Sequence, residues 1–368
     1  MWICIINRTL YLFGINMEIL LTILYCLIVL SILVFIHEGG HFLSAKIFGI
    51  RVTEFMLGLP GPKISFKFKG TRFGVTCIPL GGYARVCGME PGNLKKYTPE
   101  VLEYVHKNGK ASIKEVCRAL CIKEDDADEA LEELVDWGSI VRAKSSEYES
   151  DNILYYAADI NGYKKGEARN VDNKEEYFKN EYFCQYRSLP FWKRSVIVLA
   201  GILINILFAM VVFVILYSII GFDAKNASGE IFHKTMSPIE AIQYGFNYIW
   251  AVIVAVAGLF NPTTAAETVS NSTSLIGIAV ISKNAAEAGI CAFLEFMAMI
   301  SVSLGIMNLL PIPPLDGGRF LIEIYQAVFK RNVPEKALTI ISFIGIALFV
   351  LLFIVITNQD IQRFILGG

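Results

Sequence analysis

The sequence predicts a polytopic α-helical membrane protein: four core transmembrane helices, a membrane-associated β-hairpin sheet, and a small α/β winged-helix-like cytosolic insert. Three observations carry this. Hydrophobic residues make up 54% of the 368 and charged ones 18%, with a mean hydropathy of +0.51. Four apolar runs reach the roughly 20 residues a helix needs to cross the hydrocarbon layer. Between the first two lies a charge-rich block, with twenty acidic and thirteen basic side chains from Glu100 to Arg187. The net charge of −1 gives no electrostatic footing for nucleic acid. Eight scattered cysteines without a C-x-x-C pair read as reduced thiols or small core residues, in a mass that mostly faces a reducing compartment.

The elements follow in order. Residues 1–48 hold the first transmembrane helix, with 1–16 a weak extension and Met17-Glu18 an alternative start. The run is too long for a signal peptide and lacks a small-residue cleavage site. Residues 49–92 form the β-hairpin region: a Gly/Pro cluster (Gly58, Pro60, Gly61, Pro62), strict alternation over 63–69, a turn at Gly70, a strand from Arg72 to Ile78, and a last piece through Val86. Its apolar face predicts a sheet against the bilayer, with its backbone paired or facing a protein-lined cavity.

Residues 93–186 are the insert. A helix spans Pro99–Lys107, Ser112 and Glu115 make a capping box opening a second, and Asp125 or Asp126 opens a third. Strands at Ser139–Ala143 and Asn152–Ala158 close it. Three helices and a hairpin in this order predict a winged helix. Its presumptive recognition helix carries Asp125, Asp126, Asp128, Glu129, Glu132, Glu133 and Asp136, which repel phosphate. The insert therefore reads as a protein-contact or regulatory module, with an inert insert as the alternative.

Residues 187–221 hold the second transmembrane helix, and 222–289 an extracytoplasmic segment with a membrane-associated helix at 239–260 and a short strand or re-entrant piece at Leu275–Ile281. Residues 290–329 hold the third, broken by Pro311, Pro313 and Pro314 and restarting at Asp316; 337–357 is the fourth. Lys and Arg crowd 46–95 and 187–194 and return at Lys330, Arg331 and Lys336, while between 226 and 274 only Lys234 appears. The positive-inside rule then makes 46–194 and 330–336 cytosolic in a multi-pass protein of the cell membrane. Parity keeps 239–260 on, or partly in, the outer leaflet.

The chemistry gathers at His37-Glu38-Gly39-Gly40-His41, where the first apolar run ends. Two imidazoles four residues apart share a helical face and can hold one metal ion, with Glu38 in reach of an attacking water. Ionisable groups at membrane depth are functional candidates by default. A zinc site needs at least one more protein ligand. His106 and His233 lie in polar segments and read as surface residues. Asp316 is the only acid between Glu295 and Glu323 and sits where prolines break an apolar helix. Alone it would read as a helix cap; beside the two histidines it reads as the third ligand.

Taken together, His37-Glu38-Gly39-Gly40-His41 and Asn308-Leu-Leu-Pro311-Ile-Pro313-Pro314-Leu315-Asp316-Gly317-Gly318 resemble the site-2 protease family of intramembrane zinc metalloproteases, and more closely its bacterial group acting in regulated intramembrane proteolysis. Ile78–Tyr83, Ala200–Asn205 and Ser303–Asn308 add to the match, over 17–95 and 187–365. The resemblance implies one Zn2+ held by His37, His41 and Asp316, with Glu38 as catalytic acid/base. It also implies that Asn205 and Asn308 position substrate or the loop, and that the 63–86 hairpins pair with an unwound substrate. Gly81 and Gly82 would permit close backbone approach there, or only shape a turn. The expected partners are membrane lipid, a single-span transmembrane substrate (anti-sigma factor or signal-peptide remnant) and a protein at the insert. Relatives of this group usually carry PDZ domains between the second and third core spans, where this chain has only a short polar segment and 239–260. A catalytically silent scaffold and a zinc transporter are the alternatives; intact ligands with Glu38 argue against the first, and the lack of repeated spans against the second.

Overall fold

The computed structural model of the chain describes residues 17–78, 81–89, 94–143, 153–225 and 230–366. The weak extension at 1–16 and the polar turn between the insert's strands at 144–152 lie outside the described residues. Helix α1 (Met17–Ile47) leads into four strands, β1 (Val52–Leu57), β2 (Lys63–Phe68), β3 (Thr71–Thr76) and β4 (Gly82–Val86). The insert follows: α2 (Thr98–Asn108), β5 (Lys110–Ser112), α3 (Ile113–Leu120), α4 (Glu124–Asp136), β6 (Ile140–Arg142), β7 (Leu154–Ala157) and α5 (Lys174–Phe183). Next come α6 (Phe191–Val214), continued by a π-helical stretch Ile215–Ile220, then β8 (Phe222–Lys225) and β9 (Ile231–Lys234). The last part is helical: α7 (Pro238–Gly258), α8 (Ala265–Asn271), α9 (Leu275–Ala288), α10 (Ile290–Asn308), α11 (Asp316–Phe329) and α12 (Glu335–Asp360).

Among the described residues five helices are long and apolar enough to cross a membrane: α1, α6 with its π-helical extension, α7, α10 and α12. Of these α7 is the least apolar, with a mean hydropathy of 1.4, because Glu240, Gln243 and Asn247 interrupt its first half. Helix α6 is the hub, packing on α1, α7, α10 and α11. It meets α1 almost backbone to backbone, since a Cβ on Gly40 would stand 2.5 Å from the Ala200 carbonyl oxygen. Toward its far end α6 is held by aromatics: Phe213 and Tyr217, stacked on each other, meet Tyr244 of α7 edge to face.

The sheet near α1 has order β2-β3-β1-β4. This corrects the expectation of hairpins alone: β1, not anticipated, runs parallel to β3 and antiparallel to β4. Phe55 and Phe73 turn their rings onto Phe42 of α1, at 5.3 and 5.5 Å between centroids, so burial against the helix selects this pairing. Strand β2 is exposed throughout, and β4 forms the opposite edge, beside α1.

In the insert, β5, β7 and β6 form a three-stranded sheet in that order, over a core that includes Leu102, Leu131, Leu134 and Tyr155. Ser112 and Glu115 cap α3 reciprocally, as their spacing predicts. His106 is fully buried, which corrects its reading as a surface residue. Its Nε2–H donates to the Ser139 carbonyl at 2.8 Å and its Nδ1 accepts from the Tyr177 hydroxyl at 2.7 Å. His233 lies exposed beside Asp223, as expected. Residues 275–281, expected as a strand or re-entrant piece, are not a strand: they belong to α9, whose first turn Ser274 caps while Asp360 accepts from the Ser274 amide at 2.6 Å.

Ion pairs tie the insert to the membrane part and, just beyond the insert, the start of α6 to α11. Arg51, just after α1, pairs with Glu181 at 2.9 Å and donates to the Trp137 carbonyl at 3.2 Å. Arg187 and Arg194 each stand 3.2 Å from Glu323 of α11. The seven described cysteines are all free.

Candidate metal centre

The end of α1 and the start of α11 are brought together by α6 and by a tight return of the chain after α10. That return passes through a cis peptide between Pro313 and Pro314. It folds close enough that a Cβ on Gly318 would fall 2.3 Å from the Pro313 nitrogen. The cap of α11 is Leu315, with no side-chain capping bond, so Asp316 is not spent on capping. Its carboxylate turns to the imidazoles instead.

Asp316 Oδ2 lies 3.0 Å from His37 Nε2 and 3.2 Å from His41 Nε2, and the two Nε2 atoms are 3.3 Å apart. Among the described residues this is the one group of three His, Cys, Asp or Glu side chains able to hold a metal ion. Ligand bonds of about 2.0–2.1 Å in a tetrahedron separate donor atoms by about 3.3 Å. The triangle therefore fits one such ion, and two nitrogens with one carboxylate oxygen suit zinc. His41 is oriented for this, because its Nδ1–H donates to the Ile197 carbonyl of α6 at 2.8 Å, leaving Nε2 bare. Gly201 of α6 makes the room: a Cβ there would sit 2.5 Å from His41 Nε2 and 2.8 Å from His37 Nε2.

A cavity of about 370 Å³ opens on the three donors. Its wall includes Glu38, Asn308, Gly81 and Gly82. Glu38 Oε2 accepts the Ala84 N–H of β4 at 2.8 Å, which fixes the carboxylate against the sheet edge. Gly81 has φ +87°, and a Cβ on Gly82 would stand 2.7 Å from Val34 of α1. One glycine thus makes the turn and the other lets β4 lie on α1. Tyr83, also on the wall, donates to Glu54 at 2.9 Å. Burial and that carboxylate push its phenol up to about 12, so it stays a donor at neutral pH.

Asn205 is placed differently from the other candidates. It is fully buried behind His37, off the cavity wall, with its amide nitrogen 3.2 Å from His37 Nδ1. The resemblance implied a role in positioning substrate or the loop; here the side chain stands against the His37 ring and not on the cavity wall. Sequence reasoning missed Arg319 on the cavity wall, although it is the only basic residue between Lys283 and Lys330. It also missed the Ile197 carbonyl, a backbone group with no mark in the sequence.

The sequence profile of peptidase family M50 matches residues 25–352. The zinc metalloprotease RasP of Geobacillus kaustophilus is 26% identical, over 95% of this chain and all of that protein. A putative zinc metalloprotease of Campylobacter jejuni is 28% identical over 95% of each chain. The regulator of sigma-W protease RasP of Bacillus subtilis is 25% identical, over 94% of this chain and 99% of its own length.

Proposed function

The chain belongs to peptidase family M50 and is a multi-pass, site-2-type zinc metalloendopeptidase; from that premise we propose that it cuts single-span membrane proteins in regulated intramembrane proteolysis, using His37, His41 and Asp316 as zinc ligands and Glu38 as acid/base. The observation that carries the reading is the meeting of Asp316 with two imidazoles, His37 lying 279 residues away in sequence, on the wall that holds Glu38. When bound, zinc supplies a Lewis acid for the scissile carbonyl and makes the attacking water acidic enough to lose its proton near neutral pH. Glu38 takes that proton and passes it to the leaving amine. A helical substrate hides its carbonyls in its own hydrogen bonds and must unwind. The open edge of β4, through Gly82 and the Ala84 carbonyl, offers replacement partners by strand addition beside Glu38. Asn308, on the same wall, steadies the presented peptide. The substrate is of the anti-sigma-factor or signal-peptide-remnant type, a reading supported by the sigma-W regulator among the relatives.

Four helices cross, in this reading, and α7 lies on or in the outer leaflet. Two contacts support it. The Met236 amide, just before α7, bonds the Tyr217 carbonyl at the far end of α6, and after α7 the chain reaches Ser274 against Asp360, at the end of α12 remote from Lys336. Both ends of α7 then sit on the outer side, with 46–194 and 330–336 cytosolic. The order α2-β5-α3-α4-β6-β7 supports a winged-helix-like insert. Exposed Asp125, Asp128, Glu129 and Glu132 on α4 favour a protein partner over nucleic acid. The segment between α6 and α10 leaves substrate choice to something other than a PDZ domain.

The test is a reconstituted cleavage assay with a single-span substrate and parallel zinc analysis. Glu38→Gln keeps zinc and abolishes cleavage, and Asp316→Asn weakens both. Cleavage by Glu38→Gln at the normal rate would remove the assigned role.

A further inference from the structure

Asn205 is the only Asn, Gln or charged residue in the 195–220 stretch of α6, and it is fully buried. A carboxamide buried at membrane depth is costly unless hydrogen-bonded. Its amide nitrogen lies 3.2 Å from His37 Nδ1, while its Oδ1 has no hydrogen-bond partner among the described residues. Its backbone carbonyl accepts the Ser301 hydroxyl of α10 at 2.9 Å, which pins this turn of α6 in place.

A neutral imidazole carries one proton, and a metal-ligating nitrogen must not be the one that carries it. For His41 the Ile197 carbonyl settles the matter. For His37 the Asn205 carboxamide is the group at hydrogen-bond distance from Nδ1. Its two ends serve two states. With Nδ2 toward the ring, Nδ1 accepts and the ring proton sits on Nε2, donating to Asp316 across 3.0 Å. A half-turn of the amide presents Oδ1 instead, which accepts Nδ1–H and frees Nε2 for a metal ion. Ile197, Gly201 and Asn205 follow one another at four-residue steps, so they share one face of α6. That face contributes an acceptor for one imidazole, space for both rings, and a carboxamide for the other.

We infer that Asn205 is a positioning residue of the metal centre: its side-chain oxygen accepts the Nδ1–H of His37 and holds that imidazole in the tautomer whose Nε2 faces His41 and Asp316. The inference rests on the ligand set proposed above. It assigns Asn205 to the zinc ligand and not to the substrate.

The experiment measures zinc affinity of the full-length protein in detergent, by competition with a chromophoric chelator. Asn205→Leu, with the same branching but no acceptor, weakens zinc binding about 10–100-fold. Asn205→Asp, which keeps the acceptor, stays close to wild type. In zinc-loaded wild-type protein with 15N-labelled histidine, the His37 Nδ1 resonance is protonated and Nε2 carries the metal shift, a readout that needs no variant to fold. Wild-type affinity in Asn205→Leu, an equal loss in Asn205→Asp, or a proton on His37 Nε2 in the loaded protein would each overturn the inference. His37→Ala separates the two levels. If it still binds zinc normally, the ligand set itself fails; if it loses zinc while Asn205→Leu does not, only the role of Asn205 falls.

Discussion

At the scale of single residues, the centre depends as much on what is missing as on what is present. Gly201 bears no functional group, yet one added carbon would fall 2.5 Å from His41 Nε2, closer than real contacts allow. Gly201→Ala is therefore expected to displace the imidazoles and to drop zinc occupancy and cleavage at least tenfold. The helix content by circular dichroism should stay unchanged, because alanine favours a helix more than glycine does. Full zinc occupancy in that variant would show that the ring positions tolerate what the packing forbids. Gly40 tests the same crossing from the α1 side, where alanine would meet the Ala200 carbonyl instead of a ligand. Its effect should reach stability first and zinc second.

At the scale of elements, β4 is a strand that reaches the chemistry carried by the helices. The Ala84 N–H points to Glu38, away from β1, so a proline at position 84 deletes one hydrogen bond and leaves the β1–β4 pairing in place. A bond from a backbone amide to a carboxylate is worth about 1.5–3 kcal/mol. Ala84→Pro should thus lower kcat by about 10–100-fold with zinc content retained, read in the same cleavage assay. Unchanged kcat would make the contact incidental. Sequence reading stopped short at this sheet. The alternation of 63–69 shows a strand, but Val52–Leu57 does not alternate, because Phe55 and Met56 are both buried and Glu54 is occupied by Lys63 and Tyr83. Its pairing with β3 is decided by contacts with α1. By contrast, the restart of α11 at Asp316 could be read to the residue, since the prolines and the lone acid mark it.

At the scale of the whole molecule, the insert and the membrane part have different sensitivities. Burial and the neighbouring Arg169 hold His106 down at about 4, well below its ordinary 6.5. Arg51 and Ser139 keep the Glu181 carboxyl below its usual range, against the opposing effect of burial. Both groups bind protons more readily in the unfolded chain. The stability His106 contributes is full above pH 6.5 and falls by about 2–3 kcal/mol as the pH drops toward 4, while that of Glu181 is full above its ordinary 4.5 and is lost only below it. Protection of the described amides in 98–183, taken as exchange corrected for the pH dependence of the intrinsic rate, should fall between pH 7 and 5, and His106→Gln should flatten that dependence; protection indifferent to pH over this range would contradict it. None of this was legible beforehand. His106 stands among polar neighbours in sequence, and only the packing of α2 on Ser139 and Tyr177 encloses it. The metal pentapeptide and Asp316 were legible because ionisable groups stand out in apolar runs. The partner of Asn205 was not, because it depends on which face of α6 meets α1. One consequence follows from the distance between the halves of the centre. His37 and His41 leave the ribosome long before Asp316, which lies 279 residues beyond His37, so with the ligand set proposed here a chain still being synthesised lacks its third ligand until that residue is made. Until then two imidazoles stand without the carboxylate that completes their triangle.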